Sequence, residues 1–216
     1  MSETQNIYAA RSDADLLRLV RQQPLAWIVS GAGENFRATL LPVLAETDAE
    51  GRIARLAGHF ARSNDQYQQL TRDPRAVVLV LGTNGYISPS WFADKSQAPT
   101  WNYASAQFVV DMQFFDTPEP IEAHLRQLVN TMEAQAPRGA DQVPWDVDQM
   151  GQRYFLRSRA IVGFSATVRE VRSKFKLGQD ERDDVFSDIM AGLKHGPTAD
   201  LQAWMRDYNH GRVVAP

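Results

Sequence analysis

The residues best equipped for chemistry lie between Gly85 and Tyr103. These nineteen residues carry Tyr86, Trp91, Phe92, Trp101 and Tyr103 beside Ser88, Ser90, Ser96, Thr100, Asn102 and Lys95. Flat side chains can line a ring, and hydroxyls with an ammonium can hold an anion, so the combination suits a phosphorylated planar ligand. Ser88, Ser90 and Lys95 are candidates for the phosphate and ligand hydroxyls, Trp91, Trp101 and Tyr103 for the ring borders, and Asn102 for a hydrogen bond at the ring edge. Aromatics of this kind also plug barrel mouths and subunit contacts, and short hydroxyls also cap turns.

A second group, His59, Arg62 and Asn64, falls where a strand ends and a helix begins. The free N–H groups of a helix start favour an anion, and Arg62 adds a planar charged fork that matches phosphate. The alternative is structural: His59 packs at the strand edge, Asn64 caps the helix and Arg62 is solvated. Other chemistries lack their residues. His59, His124, His195 and His210 share no metal-ligand spacing, and there is no cysteine to serve as thiolate ligand, nucleophile or disulfide partner. Gly-x-Ser-x-Gly, Gly-x-Gly-x-x-Gly and Walker-type loops are all absent.

The elements that must position these residues follow from periodicity. Ser12–Gln23 reads as a helix with Ser12 or Asp13 as N-cap, Leu16, Leu17 and Val20 as its apolar face, and Pro24 as its stop. Leu25–Ser30, Phe36–Leu44 and Arg52–Gly58 read as a three-stranded antiparallel meander. A short helix spans Asn64–Thr71. The wholly apolar Ala76–Leu81 is expected to be a central strand buried on both faces. Gln107–Phe115 alternates, with Phe108, Val110, Met112 and Phe114 opposite Asp111 and Gln113. Thr117 and Pro118 open a helix with Ile121, Leu125, Leu128, Val129 and Met132 on one face. A loop over 136–147, a short helix near 149–156 and a last strand over 160–168 follow. Two helices, near 183–193 and 198–208, flank the helix-breaking Gly196-Pro197. Strands outnumber helices, so the class is β-rich α+β.

At 216 residues the chain suits one domain, 1–216, with a helical appendage at about 180–216. No apolar run is long enough to span a bilayer, and the first residues lack the pattern of a signal peptide, which makes the cytoplasm the expected location. The net charge of −3 lowers the expectation of DNA contact. The C-terminal helix pair could be mistaken for a helix-turn-helix. Between Asp180 and His210, however, seven carboxylates face three cations, a balance of −4 where a recognition helix is basic.

The wording of several segments adds a resemblance. Tyr86-Ile-Ser-Pro-Ser-Trp91 with Pro99-Thr-Trp-Asn-Tyr103, preceded by Gly58-His-Phe-Ala-Arg-Ser-Asn64 and followed by Ile161-Val-Gly-Phe164 and Lys174-Phe-Lys-Leu177, resembles the PaiB-like family of FMN-binding negative transcriptional regulators. The resemblance runs from about Ala26 to Leu193. It implies an FMN-binding split β-barrel of six or a similar number of strands with peripheral helices, related to the pyridoxamine-phosphate oxidases and binding FMN at a homodimer interface. It implies cofactor contacts from His59, Arg62, Asn64, Ser88, Ser90, Lys95, Trp101, Asn102, Lys176 and Gln179, with Arg62 and Lys95 on the phosphate and some residues serving the partner's flavin. This sequence departs from the family at Leu40 and Gln107, where histidines are expected, and at Gly178, Asp180 and Glu181, in place of Ser, Asn and Arg. The implied role is an FMN-binding protein whose regulatory effect is indirect. A flavin-dependent oxidoreductase acting on a small molecule, and a scaffold with weakened flavin binding, are the alternatives.

Overall fold

Alternating burial along the strands sets the architecture, seen in a computed structural model that describes residues 6–212 except Ala140, His195 and Pro197. The proposed helix breaker Pro197, His195 and the first five residues therefore lie outside the described residues. In chain order the elements are α1 (Asp13–Gln22), β1 (Leu25–Ser30), β2 (Arg37–Pro42), β3 (Leu44–Thr47), β4 (Ile53–Ala61), α2 (Asp65–Leu70) and β5 (Arg75–Ile87). They continue with β6 (Thr100–Phe115), α3 (Pro118–Gln135), α4 (Gln152–Ser158), β7 (Ile161–Lys176), α5 (Asp183–Leu193) and α6 (Ala199–Tyr208). The chain divides into two compact units whose boundaries fall inside β5, β6 and β7. One comprises Met1–Gln23, Val80–Gln107 and Val171–Pro216; the other comprises Pro24–Leu79 and Phe108–Glu170.

The second of these is a barrel unit that holds β1–β4 and a part each of β5, β6 and β7; the strand order of the sheet is β2-β1-β5-β6-β7-β4-β3. Pairings β1–β2, β1–β5, β3–β4 and β4–β7 are antiparallel. This corrects the expected meander: the β1–β2 and β3–β4 hairpins stand at opposite ends of the strand order. The cause is Pro42. It has no N–H to continue a ladder, so the run expected as one strand over 36–44 divides in two. Val43 turns inward, 1% exposed, and its N–H donates to Pro24 O at 2.8 Å. The sheet curls until β2 meets β4, where an added Cβ at Gly58 would lie 2.9 Å from Pro42 O and 2.5 Å from the Phe164 ring. Phe164, Phe60, Phe108, Leu56, Ile28 and Val78 fill the interior. Because Phe164 is fully buried and Pro42 O is backbone, neither can yield freely. Gly58→Ala is expected to destabilise the protein by about 1–3 kcal/mol, the usual range for overpacking, read as a lower urea midpoint with unchanged slope.

β5 corrects a second expectation. Ala76 and Val78 are buried, but Val77 and Leu79 between them are only partly covered, so one face of this apolar strand is not buried within the chain. The neighbouring strand continues that face. Trp27 pairs with both Leu40 and Leu79, and Leu25, Trp27 and Leu40 are 55%, 47% and 40% exposed.

In the other unit α1 packs Leu16, Leu19 and Val20 inward. Leu17, expected on the buried face, is only half-covered, and Leu19 takes its place. Gly82 admits Leu19: a Cβ there would sit 2.3 Å from Leu19 Cδ1. α6 buries Leu201, Trp204 and Met205, and the Trp204 indole N–H donates to Gln22 Oε1 at 2.8 Å. Asp15, buried on α1, loses hydration, but donation by Arg11 and by the Tyr208 hydroxyl outweighs that loss and holds its carboxyl below the usual range.

Candidate functional site

Ser88 leaves the end of β5 and caps a single 3₁₀ turn, Pro89–Trp91, accepting the Ser90 N–H at 3.2 Å. Pro89, fixed in φ and lacking an N–H, suits the first position of that turn. The two hydroxyls meet at 2.7 Å, and the Lys95 ammonium folds back to donate to Ser90 O at 2.8 Å. Two hydroxyls and one ammonium are thus gathered in a single exposed turn. Asp94 closes the far side by accepting from Ser96 and Gln97, which pull its carboxyl down to about 2. Two residues before Ser88, Tyr86 stands edge-on to Trp101 with ring centroids 6.0 Å apart. Both rings are about half exposed, at 47% and 54%.

The other expected residues of this unit are differently placed. Asn102 is fully buried: its Nδ2 donates to Met205 Sδ at 3.6 Å, and its Oδ1 has no partner among the described residues. The side chain therefore faces α6, not solvent. Lys176 Nζ bonds Thr100 Oγ1. Gln179 folds over its own turn, accepting from Leu177 N at 2.7 Å. That turn explains a departure from the family wording. Gly178 has φ +82°, a conformation glycine adopts without the strain a serine would meet. Asp180 accepts from the Tyr8 hydroxyl at 2.6 Å, which pushes the phenol up to about 12, and Glu181 O accepts from Arg212. Gln107 is exposed on β6.

Three expected residues lie in the barrel unit. Asn64 caps α2, accepting the Gln66 N–H at 2.8 Å, and donates to Thr39 Oγ1 at 3.2 Å. α2 has only six residues. Arg62 donates through Nε to Arg159 O at 2.9 Å and pairs with Asp116 at 3.2 Å, so its fork would have to exchange Asp116 for any phosphate. It borders a cleft of about 430 Å³ with Asp116, Ile121, Glu122 and Arg159.

His59 meets a histidine weighed in the sequence only for metal-ligand spacing. His124 lies on the buried face of α3 between Ile121 and Leu128, and its Nε2 is 3.1 Å from His59 Nδ1. One ring donates and the other accepts; the tautomer decides which. The signal was present in sequence, since a histidine three residues after Ile121 and four before Leu128 falls on the apolar stripe. Burial lowers both pKa values, and at His124 burial, with a smaller push from the neighbouring imidazole, takes it down to about 4. A histidine whose folded pKa is depressed destabilises the fold as pH drops below its unfolded value near 6.5. Stability is expected to be complete above that pH and to fall by roughly 1–2 kcal/mol between pH 7 and pH 5, after discounting for partial exposure. Chemical denaturation across this window tests it: His124→Gln should flatten the slope, and an unchanged slope would mean the pair does not titrate with unfolding.

Comparison with known proteins places this geometry. A family model described as "Putative FMN-binding domain" matches residues 4–170. The protease synthase and sporulation protein PAI 2 of Bacillus subtilis is 24% identical over 141 residues, 65% of each chain, so the match spans somewhat less than two thirds of that relative. The FAD and heme binding protein of Mycobacterium smegmatis superposes with a TM-score of 0.57 at 16% identity, covering 86% of this chain and 80% of that one. The flavocytochrome Anf3 of Azotobacter vinelandii gives 0.54 at 13%, covering 78% and 69%. At these identities the two structures show the fold, a split β-barrel of the α+β class. Among the described residues no helix is long and apolar enough to cross a membrane, and no cluster of ligands suits a metal ion.

Proposed function

The chain belongs to the PaiB-like family of FMN-binding proteins, with FMN as its cofactor, and from that premise we propose that the Ser88–Lys95 turn holds the FMN phosphate. The observation that carries this reading is the convergence of the Ser88 and Ser90 hydroxyls with the Lys95 ammonium, just beyond an exposed Tyr86–Trp101 pair. The donor set fits a phosphate: hydroxyls and an ammonium donate to its oxygens, and the turn is open to solvent. Trp101 and Tyr86 would border the ring, shielding one side from water and fixing its tilt. When bound, FMN supplies one- and two-electron redox chemistry; the chain supplies its binding and orientation.

The protein acts as a cytoplasmic homodimer, and any effect on transcription is indirect, through flavin or a partner protein. The acidic C-terminal helix pair supports that choice over direct DNA reading. A second reading, an FMN-dependent oxidoreductase, is favoured by the exposure of Tyr86 and Trp101, which leaves room for a small flat substrate beside the ring. Three measurements separate these. FMN titration followed by loss of its fluorescence should saturate and raise the melting temperature. A gel shift with genomic DNA should stay negative at physiological salt, and a salt-sensitive shift would overturn the indirect role. Rapid bleaching of the flavin band by NAD(P)H would move the assignment to the oxidoreductase.

A further inference from the structure

We propose that Asp188 and Gly192 of α5 are positioning residues for the phosphate-holding turn, an inference that rests on the FMN reading above. The two lie four residues apart, hence on one face of the helix. α5 lies beyond residues 4–170, where the family model matches. Asp188 Oδ2 accepts the Ala93 N–H at 2.8 Å, midway along the segment that joins Ser90 to Lys95. Gly192 fits against the Trp91 indole: an added Cβ would lie 2.2 Å from Trp91 Cδ2 and 2.5 Å from Cε3.

Glycine is a poor choice in the last turn of a helix on propensity alone. Here it gives a bulky ring its seat, and Trp91 follows Ser90 directly in the chain. The inward face of α5, with Val185, Phe186, Ile189, Met190 and Leu193 all buried, anchors the helix independently of this contact. The helix is therefore a fixed post, and the turn is clamped to it at Trp91 and Ala93. Ser88, Ser90 and Lys95 make their remaining described bonds with one another, so no other element outside the turn is seen to hold their donors in register. A turn clamped before binding loses less conformational freedom when the phosphate arrives.

The test compares FMN with riboflavin, which has the same ring and no phosphate. Asp188→Ala should weaken FMN binding about five- to tenfold while riboflavin affinity and melting temperature hold. In the flavin-free protein it should also speed hydrogen exchange in the peptide covering 88–95. Asp188→Asn keeps an acceptor oxygen and should restore both. Gly192→Ala, which helix propensity alone would predict to be neutral or stabilising, should also weaken FMN selectively. Unchanged FMN affinity and exchange in Asp188→Ala overturns the proposal, as does a loss shared equally by FMN, riboflavin and melting temperature. Equal wild-type affinity for FMN and riboflavin would overturn the phosphate reading itself, and the positioning role with it.

Discussion

FMN is expected to bind at least about a hundredfold more tightly than riboflavin, and Lys95→Ala to remove about tenfold of that advantage. A charge-assisted hydrogen bond contributes about 1.5–3 kcal/mol, which is about one to two powers of ten in affinity. Riboflavin forfeits the ammonium and both hydroxyl donors together, so its deficit is the larger. Lys95 is exposed, and an exposed charge is screened by salt, which sets its share at the low end. Lys95→Ala should leave riboflavin affinity unchanged, because that ligand offers the ammonium nothing to hold. Raising salt should narrow the FMN advantage in wild type and scarcely affect it in the variant. Isothermal titration of both proteins with both ligands at two salt concentrations supplies the affinities these comparisons need. Should Lys95→Ala bind FMN as wild type does, the phosphate lies elsewhere. Arg62 would then be the next residue to replace, since among the described residues its fork bonds Asp116 and a backbone carbonyl.

What could be read from the sequence alone follows from how local each signal is. Asn64 before α2, Thr117-Pro118 before α3 and the apolar stripe of α5 are decided within a few residues, and each element stands where those residues put it. β1 needs only its own short apolar run, closed by Gly31. The break at Pro42 was legible too, given weight to a missing N–H inside an apolar run. By contrast, Arg169, Glu170, Val171 and Arg172 in the middle of β7 are all exposed, so this stretch has no buried face to write a period-two pattern, and the strand expected from sequence stops at Val168. The site divides in the same way. The Ser88–Lys95 turn is local and was legible. The burial of Asn102 against Met205, the pairing of His59 with His124, and the seat that Gly192 makes for Trp91 join residues 103, 65 and 101 positions apart. Their partners are chosen by the tertiary fold, and no spacing rule reaches them.

The apolar face of the barrel unit carries the other large effect: Trp27→Asp should convert a dimer into a monomer. Leu25, Trp27 and Leu40 are about half exposed on β1 and β2, and Val29, Val77 and Leu79 extend them on the same side. Register makes this one patch, because residues directly opposite in antiparallel strands project to the same face. Monomers seldom leave a contiguous apolar surface of this kind in water, and β5 is apolar on that side although its own chain does not cover it. Leu40 strengthens the argument. At this position the family wording has histidine, and here leucine sits directly across from Trp27, making the patch more apolar at its centre. Tryptophan is among the residues that dominate interface energies, with truncations costing about 2–4 kcal/mol, and an aspartate would add the desolvation of a charge. The dissociation constant should therefore rise by about a hundredfold or more. Trp27 projects away from the barrel interior, so the fold should survive, with an unchanged far-ultraviolet spectrum. Sedimentation equilibrium at micromolar concentration gives the result directly. A wild-type monomer, or a Trp27→Asp protein that still dimerises, would leave this face without a partner and the dimer to be sought on another surface.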